Sequence, residues 1–151
     1  MKWLHLLATV AWIGSMFAGF IIYLPAISKQ LDPPAAGKLM GAAMKRTRIM
    51  AYVSISIFVI SGVRLVSMHG MMYGRMYVGD SWFLFFLGKM LLFAIMVLMA
   101  VYAFEILAPR VARLAAEGPS PRLKRLQKQQ QILALAGFVL GLVILFLSAS
   151  L

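Results

Sequence analysis

Four long apolar stretches, at about residues 3–28, 49–69, 81–107 and 131–151, constrain this chain more than any other feature of it. At ~1.5 Å rise per residue, each is long enough as a helix to cross a hydrocarbon core of ~30 Å. Composition agrees. With 63% hydrophobic residues, 13% charged residues and a mean hydropathy of +0.92, a soluble domain of this length is excluded. The expected architecture is all-α: one transmembrane domain over residues 1–151, an integral membrane four-helix bundle with no soluble domain and no internal repeat.

The first stretch begins after a basic residue, as a secretory signal does. Its apolar run is too long for a signal core, and Tyr23-Leu24-Pro25 is not a small-residue cleavage site, so it reads as a retained span. There are no cysteines, hence no disulfide and no thiolate metal site. The net charge of +11 is placed by topology rather than by nucleic-acid binding. Lys29, Lys38, Lys45, Arg46 and Arg48 fall between spans one and two; Arg110, Arg113, Arg122, Lys124, Arg125 and Lys128 fall between spans three and four. The positive-inside rule puts both basic segments in the cytoplasm, facing anionic lipid headgroups, and both termini on the outer, periplasmic side. A multi-pass protein of the bacterial inner (cytoplasmic) membrane is expected, with the lipid bilayer as partner, no nucleic acid, and a homodimer as a plausible assembly.

Local chemistry sets the expected boundaries. Asp32-Pro33-Pro34 breaks the chain after span one, Gly70 and Gly74 flank an outer loop, and Asp80-Ser81 offers cap oxygens to span three. Pro109 is expected to close span three. Pro119 and Pro121 mark a turn, after which Leu123 to Gln131 forms a polar, helical approach to span four.

With that topology, three cationic or titratable residues lie at similar depth in the outer half: His5, Arg64 and Lys89. Lys89 is about nine residues, or ~13 Å, below Asp80. Ionisable groups at such depth are candidate functional sites. Few acids are available to them, because Asp32, Glu105 and Glu117 belong to the other side, with Glu105 ~24 Å along the helix from Lys89. A ligand that carries carboxylates would balance these cations. Haem b has two propionates, an iron that takes a neutral imidazole, and a macrocycle that fits between apolar helices. His5 is then the axial iron ligand and Arg64 a propionate partner, while Lys89 is either a second propionate partner or a catalytic amine. Each residue also has a plainer account. His5 can hydrogen-bond at headgroup level beside an aromatic belt of Trp3 and Trp82, and Arg64 can snorkel outward. Glu105 is expected to pair with Arg110 or Arg113. Ala8, Ala11, Ser15, Ala18 and Gly19 are expected to let helices approach closely.

A second class of chemistry comes from the segment Met68-His69-Gly70-Met71-Met72-Tyr73-Gly74-Arg75-Met76, which holds four of the twelve methionines. Thioethers and imidazole are soft ligands suited to Cu(I), so His69, Met71 and Met72 form a candidate copper site, the alternative cofactor; an adaptable apolar loop has the same composition. His69 is also a candidate second axial ligand to haem.

The order His5, Trp12-Ile13-Gly14, Tyr23-Leu24-Pro25, then Leu87-Gly88-Lys89-Met90-Leu91-Leu92 resembles the small four-span membrane haem proteins grouped around HemJ-type protoporphyrinogen oxidase and the membrane domain of copper resistance protein D (CopD). The resemblance implies that His5 ligates b-type haem, that Lys89 is functionally important, and that Trp12 belongs to the cofactor-binding set. The chain departs from the HemJ-type pattern at Ala26-Ile27-Ser28-Lys29, at Leu87-Gly88 and at Tyr102, where that pattern carries an arginine and histidines. The expected function is a haem b redox protein, an oxidase of the protoporphyrinogen type or a handler of a diatomic gas, with a quinone or other electron acceptor. Copper binding or import is the alternative, and a non-catalytic assembly subunit the second alternative.

Overall fold

Prolines and the residues just before them set the helix pattern. The computed structural model describes residues 2–30, 33–73 and 81–149, with the side chains of some positions, His69, Met71, Met72 and Trp82 among them, outside that description. Helix α1 (Lys2–Phe17) passes through a wide π-type turn at Ala18–Tyr23 into α2 (Leu24–Gln30). Helix α3 (Pro33–Tyr73) is a single 41-residue element. Helix α4 (Ser81–Val101) passes through a second wide turn, Tyr102–Leu107, into α5 (Ala108–Glu117), and α6 (Pro121–Ala149) completes the chain.

Both wide turns have one cause. A proline in a helix interior supplies no N–H to the carbonyl four residues back, and its ring collides with that carbonyl. For Pro25 that carbonyl belongs to Ile21, and for Pro109 to Glu105; each lies inside a wide turn. Widening the helix by one residue relieves the collision. The Ala108 amide accordingly donates to the Ala103 carbonyl, five residues back. Pro109 therefore does not close its helix as expected, and the chain stays helical to Glu117. There Gly118, at φ 109°, takes a left-handed conformation open to glycine and ends α5. Ser120 then caps α6: its Oγ accepts from the Leu123 amide at 3.2 Å, and Pro121 occupies the first helical position.

Two further expectations are corrected. The basic segment between spans one and two is not a loop from 29 to 48, because α3 begins at Pro33 and runs unbroken into the span. Prolines are tolerated in a first turn, and Ala35, Ala36, Leu39, Met40, Ala42, Ala43, Met44 and Lys45 are good helix formers that outweigh Gly37 and Gly41. At the far end the helix does not stop at Gly70 but continues to Tyr73, carried by Met68, Met71 and Met72. The expected helical approach to span four over Leu123 to Gln131 is present, and it forms one helix with that span, α6 from Pro121. Asp32 and Asp80 lie outside the described residues.

Four stretches, Lys2–Ile27, Ala35–Met68, Phe83–Glu117 and Pro121–Ser148, are long and apolar enough to cross a membrane, and they pack as an all-α four-helix membrane bundle. The first three spans run antiparallel in turn: His5 meets Ser61 and Trp12 meets Phe58 across α1 and α3, while Phe58 meets Phe93 of α4 and Tyr52 meets Glu105 in the wide turn that follows α4. The core is thin. Trp12, Ala51, Met96 and Ala100 are buried at its centre, with Met16, Ile55, Phe58, Phe93, Phe104, Leu140 and Ile144 packed around them. Large apolar side chains face outward instead, Val10 at 71% and Phe146 at 73% exposure among them. That distribution suits a lipid surround and makes this a multi-pass membrane protein.

Small residues set the close approaches. Ala8, Ala51, Ser54 and Ser61 are buried where α1 lies on α3. Gly19, expected in this role, has nothing within 4 Å of where a Cβ would stand. On α6 the corresponding positions are Gly137, against Met16, and Gly141, against Ile13 and Met96. A Cβ at Gly141 would meet Ile13 at 3.7 Å and the Met96 sulfur at 3.9 Å, ordinary contact distances. Gly141→Ala should therefore leave thermal stability in detergent unchanged or slightly raised, since alanine also favours the helix by about 1 kcal/mol. Gly141→Leu should lower it by roughly 1–3 kcal/mol through overpacking; a leucine variant as stable as the parent would show that α6 does not sit against α1 and α4 this closely.

Candidate functional site

His5 lies on the first turns of α1, half-buried against α3. Its Nδ1 is 2.7 Å from Ser61 Oγ, and its ring meets the Phe58 ring edge-on at 5.0 Å between centroids. Phe58 in turn stacks on Trp12 at 5.7 Å and meets Phe93 of α4 edge-on at 5.8 Å. One phenylalanine thus ties three helices together beneath the imidazole.

The Ser61 hydroxyl determines the state of the histidine. Ser61 is 1% exposed, and its Oγ lies within hydrogen-bond reach of both His5 Nδ1 and the Ile57 carbonyl one turn back, which its single hydrogen can serve. With that hydrogen on the Ile57 side, the oxygen accepts from His5 and Nδ1 carries the hydrogen. A neutral imidazole with Nδ1–H has its lone pair on Nε2. In that arrangement the Ser61 contact orients the ring and leaves Nε2 as the nitrogen with a free lone pair.

Lys89 of α4 is partly buried and close enough to act on His5 electrostatically, so these two predicted residues are brought to the same end of the bundle. Trp12 is 2% exposed, and its indole N–H has no partner among the described residues. A buried N–H left unpaired costs about 1–3 kcal/mol, which marks it as an unsatisfied donor. Arg64, one turn beyond Ser61 on α3, is exposed and forms no ion pair among the described residues. The side chains of His69, Met71 and Met72 lie outside the described residues, though the backbone there is the last turn of α3 rather than a loop. Among the described residues no three or more His, Cys, Asp or Glu side chains gather into a metal-binding cluster.

Two features were missed by reading the sequence. Ser61 has no role in the sequence reading, where nothing distinguishes it from Ser54, seven residues earlier on the same helix face. The second is at the basic end, where Glu105 does not pair with Arg110 or Arg113 as expected. Its Oε1 accepts from Tyr52 at 2.7 Å and pairs with Arg48 at 3.0 Å, both on α3. Glu105 sits in the wide turn before Pro109, which shifts the register of its side chain relative to an ordinary helix. That proline was the available signal.

Four antiparallel apolar helices with one partnered imidazole define a small multi-pass membrane protein with a ligand-binding candidate near one end of the bundle. The chain belongs to the family described as a domain of unknown function (DUF4149), whose profile matches residues 7–120. The match includes Trp12, Ser61, Lys89 and Glu105, and begins two residues after His5. No curated protein and no solved structure matches the chain.

The tautomer is open to direct test. In the metal-free protein, ¹⁵N NMR of labelled histidine, with His69→Ala to leave one signal, should show His5 protonated on Nδ1. Ser61→Ala should redistribute that proton between the two nitrogens. An Nε2–H tautomer in the parent would remove the case for Nε2 as a ligand.

Proposed function

We propose that this protein binds haem b near the end of the bundle that carries His5 and acts as a membrane redox protein. The observation that carries the reading is the 2.7 Å contact of His5 Nδ1 with the buried Ser61 Oγ, which with the hydrogen on Nδ1 would leave Nε2 free to hold iron. The other donors suit the rest of such a cofactor. Lys89, Arg64 and the unpartnered Trp12 N–H are all hydrogen-bond donors, and no described acid stands among them to take their place with propionates. Haem bound there would supply a one-electron iron couple. His5 would hold the iron, with Ser61 orienting its ring and Phe58 packed against it, and a protonated Lys89 would pair with a propionate, where its positive charge favours ferrous over ferric iron. The resemblance to the HemJ-type and CopD group supports the same assignment of His5 and Lys89.

Orientation and partners belong to this reading. The basic end, with α5 and the first half of α3, is assigned to the cytoplasm of a bacterial inner membrane by the positive-inside rule. A quinone is a suitable electron acceptor for a site enclosed by lipid, and a second copy is a candidate partner.

The test is the visible spectrum of detergent-purified protein, oxidised and dithionite-reduced, with a pyridine haemochrome assay for stoichiometry. A Soret band with b-type reduced peaks is expected, lost in His5→Ala while helicity by circular dichroism is kept. Lys89→Met should retain haem but shift its midpoint potential. A colourless protein from cells supplied with ample haem would sink the proposal.

A further inference from the structure

The wide turn before Pro109 opens a groove of about 290 Å³ at the basic end, lined by Glu105, Ile106, Pro109, Arg110 and Arg113. Its electrostatics are unbalanced. Two guanidiniums and one carboxylate line it, and that carboxylate is already engaged by Arg48 and the Tyr52 hydroxyl of α3. Arg110 and Arg113 form no ion pair among the described residues; Glu117, one turn past Arg113, pairs with neither. Three residues apart on α5, the two arginines are neighbours on one helix face. Each offers planar N–H donors that match a phosphate, and paired guanidiniums recognise that group better than a point charge does.

The remaining walls are apolar. Ile106 and Pro109 line the groove, and the helix leading into it presents Leu98, Val101 and Tyr102 outward, Leu98 at 69% exposure. A charged head can therefore be held in the groove while an acyl chain follows the lipid-facing helix. We propose that this groove binds a phosphate group through Arg110 and Arg113, with an anionic phospholipid as its carrier. The proposal is independent of haem at the opposite end. It also assigns the Arg48–Glu105 pair a purpose: by occupying the carboxylate, Arg48 keeps Glu105 from competing for Arg110.

Binding of phosphatidylglycerol to the full chain, stripped of lipid in neutral detergent and followed by native mass spectrometry, tests this. Arg110→Gln combined with Arg113→Gln should weaken binding about tenfold. Arg122→Gln combined with Lys124→Gln, which removes the same charge from α6, should leave it nearly unchanged. Arg48→Gln keeps both groove arginines yet frees Glu105, and should also weaken binding. Phosphatidylglycerol that resists millimolar inorganic phosphate marks a lipid site; displacement by inorganic phosphate still supports a phosphate site but assigns it to a free ligand. Equal losses in the two double variants, or phosphatidylcholine bound as well as phosphatidylglycerol and indifferent to Arg110 and Arg113, would overturn the proposal.

Discussion

In hydrocarbon, a backbone amide or carbonyl without a partner costs several kcal/mol, because no water replaces the missing hydrogen bond. Two prolines inside the spans challenge that requirement, and the chain meets it by widening the helix at Ala18–Tyr23 and at Tyr102–Leu107 rather than by breaking. The same constraint governs the hydroxyls. Thr9, Ser15, Thr47, Ser56, Ser67 and Ser148 each donate to a carbonyl three or four residues back in their own helix, so a polar group inside a span is satisfied locally. Ser61 follows the rule and adds to it. Its Oγ reaches both the Ile57 carbonyl in its own helix and His5 Nδ1 across the helix interface.

The packing explains why the imidazole is at that interface. Helices α1 and α3 approach closely through Ala8, Ala51, Ser54 and Ser61, close enough for a short serine to reach a neighbouring helix. Between α3 and α4 the gap is filled by large side chains, Phe58 against Phe93 and Tyr52 against Phe104. His5 and Lys89 stand at the end of this wider seam and Glu105 at the other. Association without a hydrophobic driving force depends on such contacts and on a few interhelical hydrogen bonds. Among the described residues such bonds include His5 with Ser61, Tyr52 and Arg48 with Glu105, and a long Gln130–Met44 contact at 4.0 Å.

Hydropathy made the four spans legible, since span length depends on bilayer thickness alone, and His5 and Lys89 stood out because ionisable residues are rare in apolar runs. Helix ends were less legible. The basic residues from Lys38 to Arg48 looked like a loop because they are polar, but polarity does not stop a helix rich in alanine, methionine and lysine, and α3 continues through them. Pro109 looked like a stop because helix breaking is its usual effect; the compensating wide turn depends on neighbours fixed only in three dimensions. Ser61 could not be singled out from Ser54 or Ser67 before the packing of α1 on α3 was known. Glu105 had three candidate arginines in reach of its end of the bundle, and only the turn's register selects Arg48.

At ~1.5 Å per residue, α3 is about 60 Å long, roughly twice the hydrocarbon thickness. Its excess carries Lys38, Lys45, Arg46 and Arg48 on a rigid helix instead of a loose loop, and α5 and the start of α6 do the same for Arg110, Arg113, Arg122, Lys124, Arg125 and Lys128. Charges held this way cannot collapse onto one another, and each Lys or Arg near an anionic surface gains about 1 kcal/mol. The consequence is mechanical as well as electrostatic. With its basic end held at the headgroups by many weak contacts, the bundle keeps a defined depth, and that depth sets the imidazole of His5 and the amine of Lys89 within the apolar spans toward the opposite end.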